Sequence, residues 1–262
     1  MKKFWGFLLV IVLMTSCGEY QSLLKSNDYN LVYKKAIEYY NKGDYQRAMN
    51  LLDGVRSVFV GQAKAQNIAY YRAFCSYNMK DYQIASDLFK QFIQTYPESS
   101  FAEECLYMMG FCDYKASPKP RLDQQVTEKA IREFQLYLSR YPYSMRKDKV
   151  NTYMDEMRDK LSYKAYLSAK NYYLREHYKA AVISLQNCLK DYPGSKYREE
   201  IMYMLFVSKY QMAVNSVEDK KVERYNNARE EYYYFADEYP NSRYAADVKK
   251  MYCLLYTSDA AD

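Results

Sequence analysis

Four times in this chain a Tyr-Pro pair is followed, two residues after the proline, by serine: Tyr96-Pro97-x-Ser99, Tyr141-Pro142-x-Ser144, Tyr192-Pro193-x-Ser195 and Tyr239-Pro240-x-Ser242, at intervals of 45, 51 and 47 residues. Proline cannot continue a helix and serine is a preferred helix start, so each copy reads as a stop followed by a start. A period of this size constrains the fold more than any other feature, because it belongs to chains that stack one supersecondary unit on the next. Only 7 Gly and 6 Pro occur in 262 residues, too little punctuation for an all-β fold, while 49% hydrophobic and 27% charged residues allow a substantial core.

A second pattern lies between these marks. The first copy reads Tyr33, Ala36, Tyr40, Gly43, Asp44, Tyr45, Ala48, Leu52; the second Tyr70, Ala73, Tyr77, Asp81, Tyr82, Ala85, Phe89, Pro97; the fourth Tyr166, Ala169, Tyr173, Tyr178, Ala181, Leu185, Pro193. Spacings of three and four put the Tyr and Ala of each first half on one helix face, and alanine suits a close helix crossing. The pattern resembles tetratricopeptide repeats at the small-residue, aromatic and terminal proline positions. The third copy keeps Tyr107, Gly110, Tyr114 and then Ala130, Phe134, Pro142, with eight extra residues that hold Pro118 and Pro120 and must form a loop. The fifth, Tyr203, Phe206, Tyr210, then Ala228, Tyr232, Pro240, carries ten extra residues, and Phe206 in place of a small residue predicts a wider crossing. No breaker lies between Pro142 and Tyr166, which predicts one helix of roughly 30 residues, ~45 Å, shared by the third and fourth units. The expected fold is all-α, a tetratricopeptide-repeat-like superhelix of about five helical hairpins at 28–61, 66–97, 101–142, 144–193 and 197–240, then a partial capping helix. The 34 Tyr suit such narrow layers, with rings inside and hydroxyls at water.

At the N-terminus, Lys2 and Lys3, the apolar run Phe4 to Met14 and the small residues Thr15 and Ser16 reproduce a secretory signal. Eleven residues are far short of the ~20 needed to cross a bilayer. Met14-Thr15-Ser16-Cys17 resembles a bacterial lipobox, which implies removal of 1–16, a diacylglyceryl and an N-acyl lipid on Cys17, and a lipidated linker over 17–27. Residues Gly18, Glu19 and Tyr20 contain no Asp after the Cys, which by resemblance to sorting rules favours the periplasmic face of the outer membrane. At the other end "CLLYTSDAAD" looks like translated sequencing-adapter read-through, so 253–262 is read as a non-native tail and the repeat domain as 28–252.

Catalytic chemistry is not apparent. The single His177 falls at the turn where other copies carry Asp44 or Asp81. Cys75, Cys105, Cys112 and Cys188 sit in helical patterns as small apolar residues, although a Cys75–Cys105 disulfide is conceivable. Glu103-Glu104 and Glu199-Glu200 complement helix dipoles at helix starts. No metal-ligand spacing, Gly-rich phosphate loop or nucleophile motif appears, so no cofactor or metal is expected beyond the lipid. The formal charge of +6 falls to +4 without Lys2 and Lys3, and with no dense basic block a nucleic-acid role is unsupported. The expectation is a binding protein, not an enzyme. Tyr39 and Tyr71 lie off the packing pattern and are candidates for a substrate groove, or equally core residues.

Lipobox, five units, Tyr-Pro-x-Ser junctions and a long shared helix together resemble the BamD (ComL) family of outer membrane assembly lipoproteins. That resemblance implies a component of the β-barrel assembly machine, docked on the POTRA domains of the barrel insertase through its C-terminal repeats. It also implies recognition of unfolded outer membrane barrel proteins through its N-terminal repeats. Residues 28–97 would then face substrate and 195–252 the insertase, with Lys196, Arg198 and Arg243 as candidate contacts. The alternatives are a periplasmic adaptor in cell-wall coordination and a surface glycan-binding lipoprotein. The first usually carries a coiled coil, for which the dozen residues after Cys17 are too few, and the second aromatic-rich inserts, which the two inserts here lack.

Overall fold

The computed structural model describes residues 18–259, with side-chain burial through Leu255. Cys17 and the signal stretch lie outside the described residues. Within them every regular element is helical. Residues 18–24 form α1. There follow α2 (Tyr29–Asn41), α3 (Tyr45–Val55), α4 (Ala63–Asn78), α5 (Tyr82–Thr95), α6 (Ala102–Ala116), α7 (Gln125–Arg140), α8 (Lys147–Leu174), α9 (Tyr178–Asp191), α10 (Arg198–Val214), α11 (Glu218–Glu238) and α12 (Ala245–Asp259). The expected all-α, tetratricopeptide-like build is what the chain adopts, and the long helix is 28 residues, ~42 Å. The insert around Pro118 and Pro120 is a loop between α6 and α7.

The chain divides into two compact units, 1–118 with 123–154 and 119–122 with 155–262, with the boundary inside α8. In the first, Val32, Ala36, Ala48, Leu51, Leu52 and Val55 form one buried cluster together with Tyr20 and Leu23 of α1. Residues 18–24, within the stretch read as a linker, are thus a packed helix. In the second unit, Tyr166, Ala169, Ala181, Leu185 and Ile201 form one cluster, and Met202, Phe206, Phe235 and Val248 another. Phe206 is fully buried there, its ring 6.3 Å from that of Tyr232. Helix α12 continues to Asp259, into the stretch read as a tail, and Leu255 is buried against Ala213, Tyr225 and Ala228.

Two local devices shape the hairpins. Inside the first, second and fourth, the first helix ends in a left-handed residue: Gly43 (φ 82), Lys80 (φ 69) and Glu176 (φ 59). At each, the next residue's N–H reaches back to close the helix end, Asp44 to Tyr39 O (2.9 Å), Asp81 to Ser76 O (3.0 Å) and His177 to Tyr172 O (3.0 Å). This is the Schellman arrangement, and the residue that completes it is also the N-cap of the next helix. His177 is therefore the turn residue its position predicts.

Between hairpins, the four junction tyrosines share one backbone conformation, φ −127 to −132 and ψ 60 to 65. Each junction serine donates its N–H to that tyrosine's carbonyl and accepts, on its hydroxyl, the N–H of the residue two positions on: Phe101, Arg146, Tyr197 or Tyr244. The serine thus starts a turn that precedes the helix, instead of capping the helix directly.

Candidate interaction sites

The serine-plus-two residue explains much of the tyrosine content. In each case it covers the first tyrosine of the preceding hairpin. Phe101 lies 4.6 Å from Tyr70, Tyr197 stacks on Tyr166 at 4.4 Å and 12°, and Tyr244 stacks on Tyr203 at 4.0 Å and 11°. At the third junction the Arg146 guanidinium takes the ring's place, 4.9 Å over Tyr107. Ring-on-ring packing of this kind adds ~0.5–1.5 kcal/mol beyond burial, and the contact recurs in the second, fourth and fifth hairpins, with Arg146 standing in for the ring in the third.

Carboxylates at the helix starts reinforce it. Ser144 and Tyr137 donate to Glu103 at 2.7 and 2.9 Å, and Ser242 donates to Glu199 at 2.6 Å. Ser195 and Ser162 occupy the same places in the fourth hairpin, 2.8 Å apart. The neighbouring acids look to the preceding hairpin: Tyr70 donates to Glu104 at 2.9 Å and Lys170 to Glu200 at 2.7 Å. Burial and then the bond to Glu104 push the Tyr70 phenol well above its ordinary range. Burial would raise Glu200, but the Lys170 ammonium outweighs it and holds the carboxyl below the usual range. These acids were read as helix-dipole partners alone; their closer role is to tie hairpins together.

The candidate groove residues are half-buried and packed. Tyr39 meets Tyr20 edge-on at 5.9 Å with Arg47 5.8 Å over its ring, and Tyr71 meets Tyr40 at 4.9 Å and Tyr70 at 5.5 Å. Both border the first core cluster. The cationic candidates differ from one another. Arg198 is held by Glu238 in a two-pronged bond, 2.5 and 2.9 Å, linking the start of α10 to the end of α11. Lys196 is 63% exposed with Asp159 at 3.8 Å, and Arg243 is exposed, donating to Tyr244 at 2.5 Å.

Two features were not visible in the sequence. An open groove of about 380 Å³ in the second unit is lined by Tyr163, Tyr166, Leu167, Lys170, Leu174 and Tyr197, an apolar floor with one cation. In the first unit a charge cluster is enclosed between helices. The Lys129 ammonium reaches Asp113 at 2.8 Å, Glu133 at 3.6 Å and Asp87 at 3.8 Å, and Ser86 donates to Asp113 at 3.1 Å. Glu133 Oε2 is buried without a partner, and burial, then the Asp113 charge, push the Glu133 carboxyl up to about 8.

The cysteines form no disulfide among the described residues. Burial pushes the Cys75 and Cys105 thiols up to about 12 and Cys188 to about 11, which keeps them protonated and unreactive. No group of three or more His, Cys, Asp or Glu among the described residues is placed to hold a metal. No described helix is long and apolar enough to cross a membrane.

Fold and contacts define a protein of stacked tetratricopeptide-like hairpins. Within that class, a family model described as outer membrane lipoprotein (YfiO) matches residues 25–200 and again 165–258. The chain belongs to this outer membrane lipoprotein family. Among solved structures it is similar to a TPR repeats protein from Bacteroides fragilis, at 12% identity and a TM-score of 0.42, covering 89% of this chain and 100% of that one. It is also similar to the TPR2AB domain of yeast Sti1, solved in complex with pHSP90, at 14% identity, 0.39, and 87% and 98% coverage. No curated protein matches the chain.

Proposed function

We propose that the protein is a lipid-anchored periplasmic scaffold of the β-barrel assembly machine, binding the barrel insertase through its POTRA domains and unfolded outer membrane proteins. The observation that carries this is the outer membrane lipoprotein family match across almost the whole repeat region. It is supported by hairpins that leave a groove floored with tyrosine and leucine. Extended or partly folded chains are bound by such surfaces through aromatic anchors. The role needs no catalytic group: the protein holds partners near the membrane to which Cys17 would fasten it.

Within this reading Lys196 and Arg243 are the insertase contacts with charge to offer, whereas Arg198 chiefly secures the hairpin that presents them. Tyr39 and Tyr71 contribute to the substrate-facing half through their exposed edges.

Capture of the membrane-bound protein in mild detergent, followed by mass spectrometry, tests the proposal. A near-stoichiometric POTRA-containing barrel protein is expected, and Lys196→Glu with Arg243→Glu should reduce its recovery several-fold. Recovery of cell-wall synthases or glycan-uptake proteins in its place would overturn the assembly role.

A further inference from the structure

A lipid anchor on a flexible linker lets the protein wander. Eleven coil-like residues would give the first hairpin a root-mean-square reach of roughly 18 Å from the bilayer. The structure does not leave that freedom. From Gly18 the chain is helical, and α1 is fastened to the first hairpin along its length. Tyr20 and Leu23 are buried at 8% and 5% exposure. Asn50 donates to the Tyr20 hydroxyl at 3.1 Å, the Arg47 guanidinium covers the Tyr20 ring at 5.2 Å, and Lys35 pairs with Glu19 at 3.0 Å.

The direction of α1 is set by the same contacts. Its start lies beside the later half of α2 and the beginning of α3, where Tyr20 meets Tyr39 and Arg47. Its end lies beside the beginning of α2 and the end of α3, where Leu24, Tyr29, Val32 and Val55 line a common cavity. Helix α1 therefore runs antiparallel to α2, and Gly18 emerges at the end of the hairpin where α2 turns into α3. Cys17 is the residue directly before Gly18 in the sequence.

We infer that the turn between α2 and α3, residues 42–44, is a membrane-contact surface, seated against the headgroups of the leaflet that holds the lipid on Cys17. This rests on the lipid-anchor reading above. The anchor residue directly precedes a docked helix in sequence, so the turn end of the hairpin lies in or beside the headgroup layer. The opposite end, with Val60, is held away by the length of the hairpin. Lys42 is exposed at this turn end and suits a lipid phosphate. Its consequence is that the first unit meets its partners in one orientation to the membrane.

The test uses the full-length lipidated protein in phosphatidylethanolamine–phosphatidylglycerol vesicles that carry a headgroup-level nitroxide lipid. With the exposed Cys253 replaced by serine, an environment-sensitive fluorophore is placed at Lys42→Cys or Val60→Cys. Quenching several-fold stronger at 42 than at 60 is expected. Ten Gly/Ser residues inserted after Gly18 should remove the difference, and Tyr20→Ala, which loosens α1, should reduce it. Equal quenching at the two sites, with and without the insertion, overturns the inference while leaving the anchor intact. Intact mass spectrometry separates the other failure: a Cys17 without its acyl mass overturns the anchor reading, and the inference with it.

Discussion

Glu133 offers the sharpest energetic test. It lies 8% exposed, with Asp113 and the Lys129 ammonium beside it, and its carboxyl is pushed from the ordinary 4.5 up to about 8, by burial first and by Asp113 second. In the folded protein it holds a proton at neutral pH; the unfolded chain releases that proton above about pH 4.5. The native state thus binds more protons than the unfolded state between about pH 4.5 and about pH 8, so stability falls as pH rises through that window. At ~1.4 kcal/mol per tenfold change in proton affinity, the bound on the loss is ~5 kcal/mol. Lys129 is 36% exposed and admits water to the cluster, so a loss of ~1–3 kcal/mol is the expectation. Replacement by Gln keeps the shape and a donor but cannot ionise. Urea unfolding followed by circular dichroism, from about pH 5 to about pH 9, should show the wild-type midpoint falling with pH relative to Glu133→Gln. The variant should be the more stable protein at the alkaline end. Parallel pH profiles for the two proteins would refute the assignment of a neutral, buried Glu133.

Other substitutions probe the devices that build the hairpins. Lys80→Gly and Glu176→Gly should each stabilise by ~0.5–1 kcal/mol in urea melts, because a left-handed conformation strains a residue with a Cβ. Gly110→Ala should destabilise by ~1–3 kcal/mol in the same assay, since an added Cβ would come within 2.9 Å of the fully buried Phe134 ring. Glu103→Ala removes the acceptor shared by Ser144 and Tyr137 and should cost ~1–3 kcal/mol, with Tyr137→Phe costing less when measured alongside. Tyr244→Ala should lower the thermal midpoint more than Tyr234→Ala, because only the former stacks on Tyr203 while Tyr234 is 65% exposed.

What the sequence discloses and what it hides follow one division. Proline and glycine act on the backbone of their own residue, so Tyr-Pro-x-Ser and Gly43-Asp44 mark helix ends without knowledge of any neighbour. The same backbone turn is made at Lys80 and Glu176 by residues that advertise nothing, because the Schellman bonds from Asp81 and His177 impose it from outside. Tyrosine is ambiguous in the same way. Tyr197 and Tyr143 lie in equivalent junctions, yet Tyr197 falls two residues after the serine and stacks on Tyr166, while Tyr143 falls one before it and is 97% exposed. Position relative to the serine decides this, and that relation becomes readable only once the serine is known to set the turn. Lys129 and Glu133 are four apart on α7 and look like any exposed helical ion pair; it is Asp113 from α6 and Ser86 from α5 that close over them and change their chemistry. Residues 18–24 follow the same rule: short and polar, they read as a tether, and only Tyr39, Arg47 and Asn50 across the gap turn Tyr20 into a buried anchor. A repeat protein concentrates its specific chemistry where one hairpin meets the next. Those contacts depend on pairs of residues roughly 30 to 45 apart in sequence, beyond the reach of local periodicity but within reach of a comparison between aligned repeats.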